Sequence, residues 1–372
     1  MKKFILATLL AFSMFSLSAQ KEGTIVIDDA VRQHFRQEIL IPDIPGFVTL
    51  KCDFHLHTVY SDGAVWPTVR VSEAWEDGLD AISITDHIEG HPKKMPGQKR
   101  AQYDVALSTA QNANIILVRG GEISRSMPPG HFNALFVKDV DALDIPDVMD
   151  AIGEAVRQGG FVIWNHPGWR KQQPDTTKWW SEHDAIFSKG WMHGIEVFNE
   201  KEWYPEAIRW AMEKNLTIFA NSDVHDFYES FYDQDKYPVR PLTIVFAKER
   251  TEESIKEALF DRRTAALFFN KLVGRKELID PLIKRSIEVE PSHSYQNGYA
   301  YFSVKNLTDI EFTLIKKISD KSELPAKIIL PRRASVILRA KQPQGQINIY
   351  NYYLENVLTG VEQYYEYRLS VK

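Results

Sequence analysis

Cysteine is almost missing from this chain of 372 residues: it occurs once, at Cys52. No intrachain disulfide can form, and a zinc–thiolate cluster is excluded. Any metal held here must be bound mainly through His, Asp and Glu. Excess positive charge is missing too. The net charge is −5 and the Lys and Arg residues are scattered, so no stable nucleic-acid partner is expected. There is no motif such as GxSxG that would supply a protein nucleophile. Internal repeats and low-complexity tracts are lacking. Past the first residues, no apolar run approaches the roughly 20 residues of a membrane-spanning helix.

The first residues, MKKFILATLLAFSMFSLSAQ, combine a basic start at Lys2 and Lys3 with an apolar run from Phe4 to Leu17 and small residues after it. This pattern predicts a signal peptide over 1–19, cleaved near Ala19. The apolar run is short for a membrane anchor, and no cysteine follows it for lipid attachment. The mature protein is therefore expected to be exported, periplasmic or secreted, with no membrane span. Residues 20–47 read as a lead-in. The remaining length, in a chain that is 44% hydrophobic, gives room for a large core and predicts two domains.

From 48 to about 270, short apolar runs alternate with amphipathic stretches. The candidate strands are VTLKCDFHL (48–56), DAISIT (80–85), NIILVRG (114–120), FNALFV (132–137), GFVIWN (160–165), GIEVFN (194–199), LTIFAN (216–221) and LTIVFA (242–247). PTVRVSEAWEDG, with Pro67 suited to a first turn, and DVMDAIGEAVRQGG, stopped by Gly159 and Gly160, read as helices. Such alternation predicts an α/β fold with a parallel sheet, and seven or eight units predict a closed barrel. TEESIKEALFDRRTAALF reads as its last helix. After about 285 the runs have period two, with a turn signal at Asn297-Gly298. They predict a small antiparallel, sandwich-like β domain over 285–372, following a hydrolase domain over 48–284.

The chemistry gathers at strand ends. In KCDFHLH, alternation puts Cys52, Phe54 and Leu56 on one face and Asp53, His55 and His57 on the other. SDG then delivers Asp62 on a turn. Later blocks end with Asp86 and His87, with Glu122, with His166, and with Asp223 and His225; His131 stands just before its apolar run. Six of the 11 histidines fall in these places. An isolated strand histidine is usually a satisfied core residue. Six histidines with several acids in one pocket would be costly to desolvate, and metal coordination is the usual resolution. His91 reads as a rim residue, because Gly90 and Pro92 argue against a helical HxxxH pair. His183 and His193 read as structural, and His34 and His293 lie outside the barrel.

DFHLHTVYSDG, ITDH, GGE, PGH, NHPG and SDVH, in that order over 48–270, resemble the PHP (polymerase and histidinol phosphatase) family of metal-dependent phosphoesterases. The resemblance implies a distorted TIM-like (β/α)7 barrel binding two or three divalent ions. It implies that His55, His57, Glu122 and Asp223 hold one ion, that Asp62, His87 and His225 hold a second, and that Glu122, His131 and His166 hold a third, with Glu122 bridging. Imidazole with carboxylate suits zinc, manganese or iron. The signal segment and β tail make the chain similar to exported members of the family.

Closely spaced divalent ions acidify bound water and neutralise phosphoryl charge, so a metal-bound hydroxide can attack a phosphate mono- or diester directly. The expected substrate is a small phosphoester. Arg125 is the expected phosphate clamp, with Arg170 and Lys171 as second choices. Asp53 and Asp86 are expected to orient ligand imidazoles, although ordinary strand-end hydrogen bonding would place them equally well. Trp169, Trp179 and Trp180 offer either a stacking wall for a base or sugar or local packing. Two readings compete with a phosphoesterase: an amidohydrolase-like metal hydrolase of C–N or C–O bonds, and a non-catalytic metal-binding or interaction protein with the β tail as its working part. The sequence sets no oligomeric state.

Overall fold

The computed structural model describes residues 35–89, 100–232, 239–342 and 344–372; the expected signal segment, His34 and His91 lie outside them. Seven strands line a barrel. They are β1 (Val48–Leu56), β2 (Ala81–Ile84), β3 (Ile116–Ile123), β4 (Phe132–Leu135), β5 (Phe161–Trp164), β6 (Gly194–Asn199) and, after the two-residue β7 (Glu202–Trp203), β8 (Thr217–Asn221). β1, β2 and β3 pair in parallel, as do β5, β6 and β8. The barrel closes just beyond β8, where Val224 bridges Leu56 in parallel and Asp223 N donates to His55 O at 2.9 Å.

β4 alone runs backwards, antiparallel to β3 and β5. The link over 124–131 is too short for a crossover helix, so the chain turns straight back. This reversal explains why His131 precedes its strand while the other candidates follow theirs. The N-terminal end of a reversed strand lies at the rim formed by its neighbours' C-terminal ends.

Helices α1 (Pro67–Glu76), α2 (Gln102–Asn112), α3 (Val148–Arg157), α4 (Ser181–Ser188), α5 (Pro205–Glu213), the single turn α6 (Tyr228–Phe231), α7 (Glu252–Phe260) and α8 (Lys276–Ser286) are the α-helices among the described residues, with one 3-10 turn at Asp141–Leu143. Pro67 opens α1 as expected. Asp147 caps α3, accepting from Met149 N and Asp150 N, and Gly159 stops it at φ +77°.

Two expectations need correction. LTIVFA forms β9 (Leu242–Ala247), which pairs antiparallel with the first half of β1 instead of adding a parallel unit. The connection into it holds only the single turn α6, again too little for a crossover among its described residues. The expected last helix ends at Phe260, and TAALF within it is β10 (Thr264–Phe268). The β-branched Thr264 and the close pairing with β9 and with β11 (Lys271–Gly274) override the helical pattern there.

β11 in turn pairs in parallel with a C-terminal strand, through Leu272↔Val357 and Val273↔Leu358. That strand, β18 (Asn348–Gly360), lies between β19 (Gln363–Val371) and β15 (Phe312–Lys316), which pairs with β16 (Lys327–Leu330). The facing sheet holds β12 (Ile287–Val289), β13 (Ser294–Gln296), β14 (Tyr299–Asn306) and β17 (Ser335–Lys341). Asn297 and Gly298 both take positive φ and join β13 to β14 as a two-residue hairpin. Phe302, Val304 and Leu338 of one sheet share a core with Phe312, Leu314 and Leu354 of the other. Tyr350, Tyr352 and Tyr365 are buried there. The described part of the lead-in bonds to both the barrel side and the C-terminal strands. Gln37 N donates to Glu76 O at 2.7 Å, and Leu40 N to Asp309 Oδ2 at 2.6 Å.

One local irregularity decides where the site's side chains point. Against β2, Asp53 pairs with Ile82 but Leu56 pairs with Ile84, so β1 carries one extra residue. The expected two-residue alternation breaks at this bulge. Cys52 and Phe54 join Phe161 and Phe219 in one buried cluster, whereas Leu56 packs with Val71 and Ala74. Asp53 meets Arg240 and Ser222, whereas His55 and His57 face Glu122 and Asp223. Asp53 therefore does not share a face with the two histidines.

Candidate metal centre

The barrel rim brings together all nine expected ligands. Glu122, fully buried at the end of β3, is the hub. Its Oε1 lies 3.3 Å from His55 Nε2, 3.0 Å from His131 Nδ1 and 3.5 Å from His166 Nε2. Its Oε2 lies 2.6 Å from His87 Nδ1 and 3.8 Å from His57 Nε2. Asp223 Oδ1 sits 3.2 Å from His55 Nε2 and 3.0 Å from His57 Nε2. Asp62 Oδ1 sits 3.2 Å from His225 Nε2 and 3.5 Å from His87 Nε2. Asp223 and His166 hold positive φ, at 51° and 28°. Such conformations in non-glycine residues are sparsely populated and concentrate at functional sites.

Among the described residues, four groups of donor atoms are compact enough to hold an ion: His57, Asp62, His87 and His225; His55, His57 and Asp223; His55, Glu122 and His166; and His87, Glu122 and His131. Whether these residues suit cations is tested by their unpaired atoms. His55 Nε2, His57 Nε2 and Asp223 Oδ1 are all buried without a hydrogen bond, yet they face one another at 3.0–3.2 Å. Such buried polar atoms are costly unless something else satisfies them. A divalent cation among these donors would do so, and the nitrogen and oxygen set fits zinc, manganese or iron.

Electrostatics agrees. Burial opposes ionisation of Glu122, but His131, His87 and His55 hold its carboxyl well below the usual range. Asp223 is lowered against burial by His55 and His57, and Asp62 by His225 and His87. Burial, with His225 and His87 nearby, pushes His57 down to about 3. At the rim, Glu122 and Asp62 overcome burial and lift His87 to about 10; Asp62 and Asp223 lift His225 to about 9. Without metal, protons on the rim imidazoles balance ionised carboxylates. Cations can replace those protons.

No protein-family model matches the chain, and no curated protein does. Among solved structures, a two-domain protein containing a predicted PHP-like metal-dependent phosphoesterase from Bacteroides vulgatus ATCC 8482 is 43% identical; the match covers 90% of this chain and 99% of that one, with a TM-score of 0.86. The chain belongs to the PHP-like metal-dependent phosphoesterase family. Two other structures are more distant. A putative metal-dependent phosphoesterase from Bifidobacterium adolescentis ATCC 15703 is 18% identical, over 47% of this chain and 87% of that one, with a TM-score of 0.38. An amidohydrolase from Chromobacterium violaceum is 17% identical, over 48% and 89%, with a TM-score of 0.37.

Within this PHP-like site, the supporting residues differ from expectation. The side chain that fixes His55 is Glu196, fully buried in β6. Its Oε1 meets His55 Nδ1 at 2.9 Å and accepts from Asn221 Nδ2 at 2.9 Å; its Oε2 accepts from His166 N at 2.7 Å and Asn199 Nδ2 at 2.8 Å. Sequence reading missed Glu196; the only trace of it there is an acid inside the apolar run GIEVFN, which does not say what it faces. It also missed Asn165, which donates to Glu122 Oε1 at 2.8 Å, and Ser124, whose Oγ lies 2.6 Å from His87 Nδ1. Asp86 accepts from Thr58 N and Oγ1 and from Ser61 Oγ, and reaches His57 only through Ser61, 3.3 Å from His57 Nδ1. Asp53 accepts from the backbone N of His55 at 3.3 Å and touches no imidazole.

Arg125 does not present a free guanidinium. Nη1 is bound to Glu89 and to Ser124 O, and Nη2 to Ile145 O and Pro146 O. The acid Glu89, three residues from Asp86 in the sequence, captures it. Arg170 is largely exposed, 3.8 Å from Glu202. Lys171 Nζ lies 5.0 Å from the Trp169 ring. Trp169 flanks His166 and His131, with ring centroids 5.3 and 5.9 Å away. Trp179 packs against Trp164 and Trp210, and Trp180 bonds Gln173, so these two serve local packing. His183 is structural, as expected: Nε2 bonds Pro129 O at 2.7 Å and the ring stacks on Trp164. His193 accepts from Val162 N at 2.9 Å.

Proposed function

We propose that this protein hydrolyses small phosphate mono- or diesters at a centre of two or three divalent ions, zinc, manganese or iron. The carrying observation is the convergence of unpaired His55 Nε2, His57 Nε2 and Asp223 Oδ1 around the hub carboxylate Glu122. Bound divalent ions would lower the pKa of water to near neutral and neutralise charge on the phosphoryl oxygens.

The chain's own residues divide the work by depth. His55, His57 and Glu122 are fully buried and exclude solvent from the inner positions. Asp62, with its side chain 54% exposed, and His225, 32% exposed, open the rim position to substrate. Glu196 and Asn165 fix the inner ligands, so their geometry need not reorganise during the reaction. The half-buried Trp169 walls the mouth beside His131 and His166, and the exposed Lys171 above it supplies the positive charge that draws an anionic ester.

We also infer export, supported by the basic-then-apolar pattern of residues 1–19. Among the described residues, no helix is long and apolar enough to cross a membrane.

The test is to strip the protein with chelator, restore Zn²⁺, Mn²⁺ or Fe²⁺ singly, and assay aryl phosphate mono- and diesters beside an aryl lactone and an amide. Metal-dependent turnover of a phosphoester is expected. Turnover confined to the lactone or amide, or unaffected by stripping, overturns the proposal. N-terminal sequencing of the mature protein tests the cleavage near Ala19.

A further inference from the structure

Arg70 lies on α1 and is only 1% exposed. No part of the site described so far uses it. Its guanidinium is nevertheless committed almost wholly to backbone that carries metal ligands. Nε donates to His57 O at 2.8 Å, Nη2 to Val224 O at 2.9 Å, and Nη1 to Asp226 O at 2.8 Å. The remaining Nη1 bond goes to Glu73 Oε2 at 2.6 Å, one turn along the same helix. Glu73 then uses Oε1 to accept from Tyr228 N at 2.9 Å. The pair thus grips both the exit of β1 and the segment Val224–Tyr228.

His225 sits at the centre of what is gripped. The carbonyls on either side of it, Val224 O and Asp226 O, are both held by Arg70. Its own carbonyl accepts from Ala64 N at 2.8 Å, and Val224 O also accepts from His57 N at 3.1 Å. The His225 ring stacks on His57 with centroids 4.2 Å apart and planes 13° apart. Nδ1 donates to Asp223 O at 2.8 Å, which leaves Nε2 facing Asp62. Few rotamer or backbone choices remain for that nitrogen once the carbonyls are fixed.

We propose that Arg70, braced by Glu73, is a positioning residue that sets the rim metal subsite of His57, Asp62, His87 and His225. It does so by stapling the His225 segment to the end of β1. The inference rests on the metal-centre reading above. A guanidinium suits the task because its donors radiate in a fixed plane toward three separate carbonyls, whereas an ammonium offers its donors from a single point. The inner group of His55, Glu122 and His166 receives no bond from Arg70, so the effect is confined to the rim and to His57.

The experiment titrates Zn²⁺ into stripped wild type, Arg70→Lys and Glu73→Gln by calorimetry. Bound metal is also counted by elemental analysis, and folding is checked by circular dichroism. Wild type is expected to bind two or three ions. Arg70→Lys is expected to keep the tightest site within about threefold and to weaken the weakest by 10–100-fold, the range seen when groups orienting ligands are removed. Glu73→Gln is expected to move the same site in the same direction, less far. In Arg70→Ala, added guanidinium should restore the lost ion, which a purely structural role would not predict. Wild-type stoichiometry and affinities in folded Arg70→Lys, or in folded Glu73→Gln should the first variant not fold, overturn the inference. So does equal weakening at every site. Wild type that binds no ion overturns the metal centre itself, a separate and recognisable result.

Discussion

Replacing Glu196 by Gln changes one atom and keeps the shape, so it isolates what the carboxylate does. Both oxygens are fully used, each by two donors: His55 Nδ1 and Asn221 Nδ2 on Oε1, His166 N and Asn199 Nδ2 on Oε2. An amide has one oxygen and one NH₂ group. If its nitrogen takes the place of Oε2, it confronts two N–H donors. If it takes the place of Oε1, His55 must accept at Nδ1 and carry its proton on Nε2. That is the atom aimed at Asp223 Oδ1 from 3.2 Å, and a protonated nitrogen cannot bind a metal. Two buried donors left facing a donor cost about 1–3 kcal/mol each. Loss of a carboxylate that orients a ligand imidazole costs 10–100-fold in metal affinity, or about 1.4–2.7 kcal/mol. We therefore expect Glu196→Gln to lower the melting temperature of the stripped protein and to weaken the inner metal by 10–100-fold in competition with a fluorescent chelator. Metal-dependent activity should return at high metal concentration. Affinity within twofold of wild type would refute the argument, because it would mean that the hydrogen bond to His55 does not set the ligand's tautomer.

Other predictions concern the rim and its surroundings. His87 and His225 are held at about 10 and about 9 in the metal-free protein, above the ordinary value of 6.5. Their contribution to stability is full below 6.5 and is lost as pH rises through 9 and 10. Melts in chelator should therefore fall between pH 7 and 10 more steeply than melts of the metal-loaded protein; a metal-free curve that stays level or rises would count against this. Arg125→Ala should leave kcat/KM within about threefold while lowering the melting temperature, since the residue's hydrogen bonds, about 1.5–3 kcal/mol each when charged, go to Glu89 and to backbone carbonyls. A KM raised a hundredfold would restore it as a substrate clamp. Gly63→Ala would put a Cβ 2.6 Å from Thr58 N and 2.7 Å from His57 C. Backbone cannot give way as a side chain can, so we expect about 1–3 kcal/mol of destabilisation and loss of the ion proposed at the Asp62 group. Unchanged stoichiometry would refute it.

Much of the candidate site was legible because the expected metal ligands violate local rules. Histidines and acids at the ends of apolar runs stand out against strand patterning, and all nine come together. What was not legible depends on partners that lie far off in sequence. Glu196 looks like one polar residue in a strand until His55 is known to lie beside it. Arg125 looks free until Glu89 is seen to take its guanidinium. The bulge between Asp53 and Leu56 was hidden because a period of two is the only periodicity a strand shows in sequence, and an inserted residue appears only against the neighbouring strand. The reversal of β4 was readable in principle from the short link over 124–131. The placement of TAALF in a strand was not, because Thr264 alone is a weak signal in a composition that suits a helix, and pairing with β9 and β11 decides it.

The parallel pairing of Leu272 and Val273 with Val357 and Leu358 makes the hydrogen-bond ladder run without interruption from the barrel into the C-terminal strands. Cutting the gene after α8 would not detach an accessory. It would strip β11 of its neighbour and leave a raw strand border on the half that holds the histidines, the kind of border along which protein molecules adhere to one another.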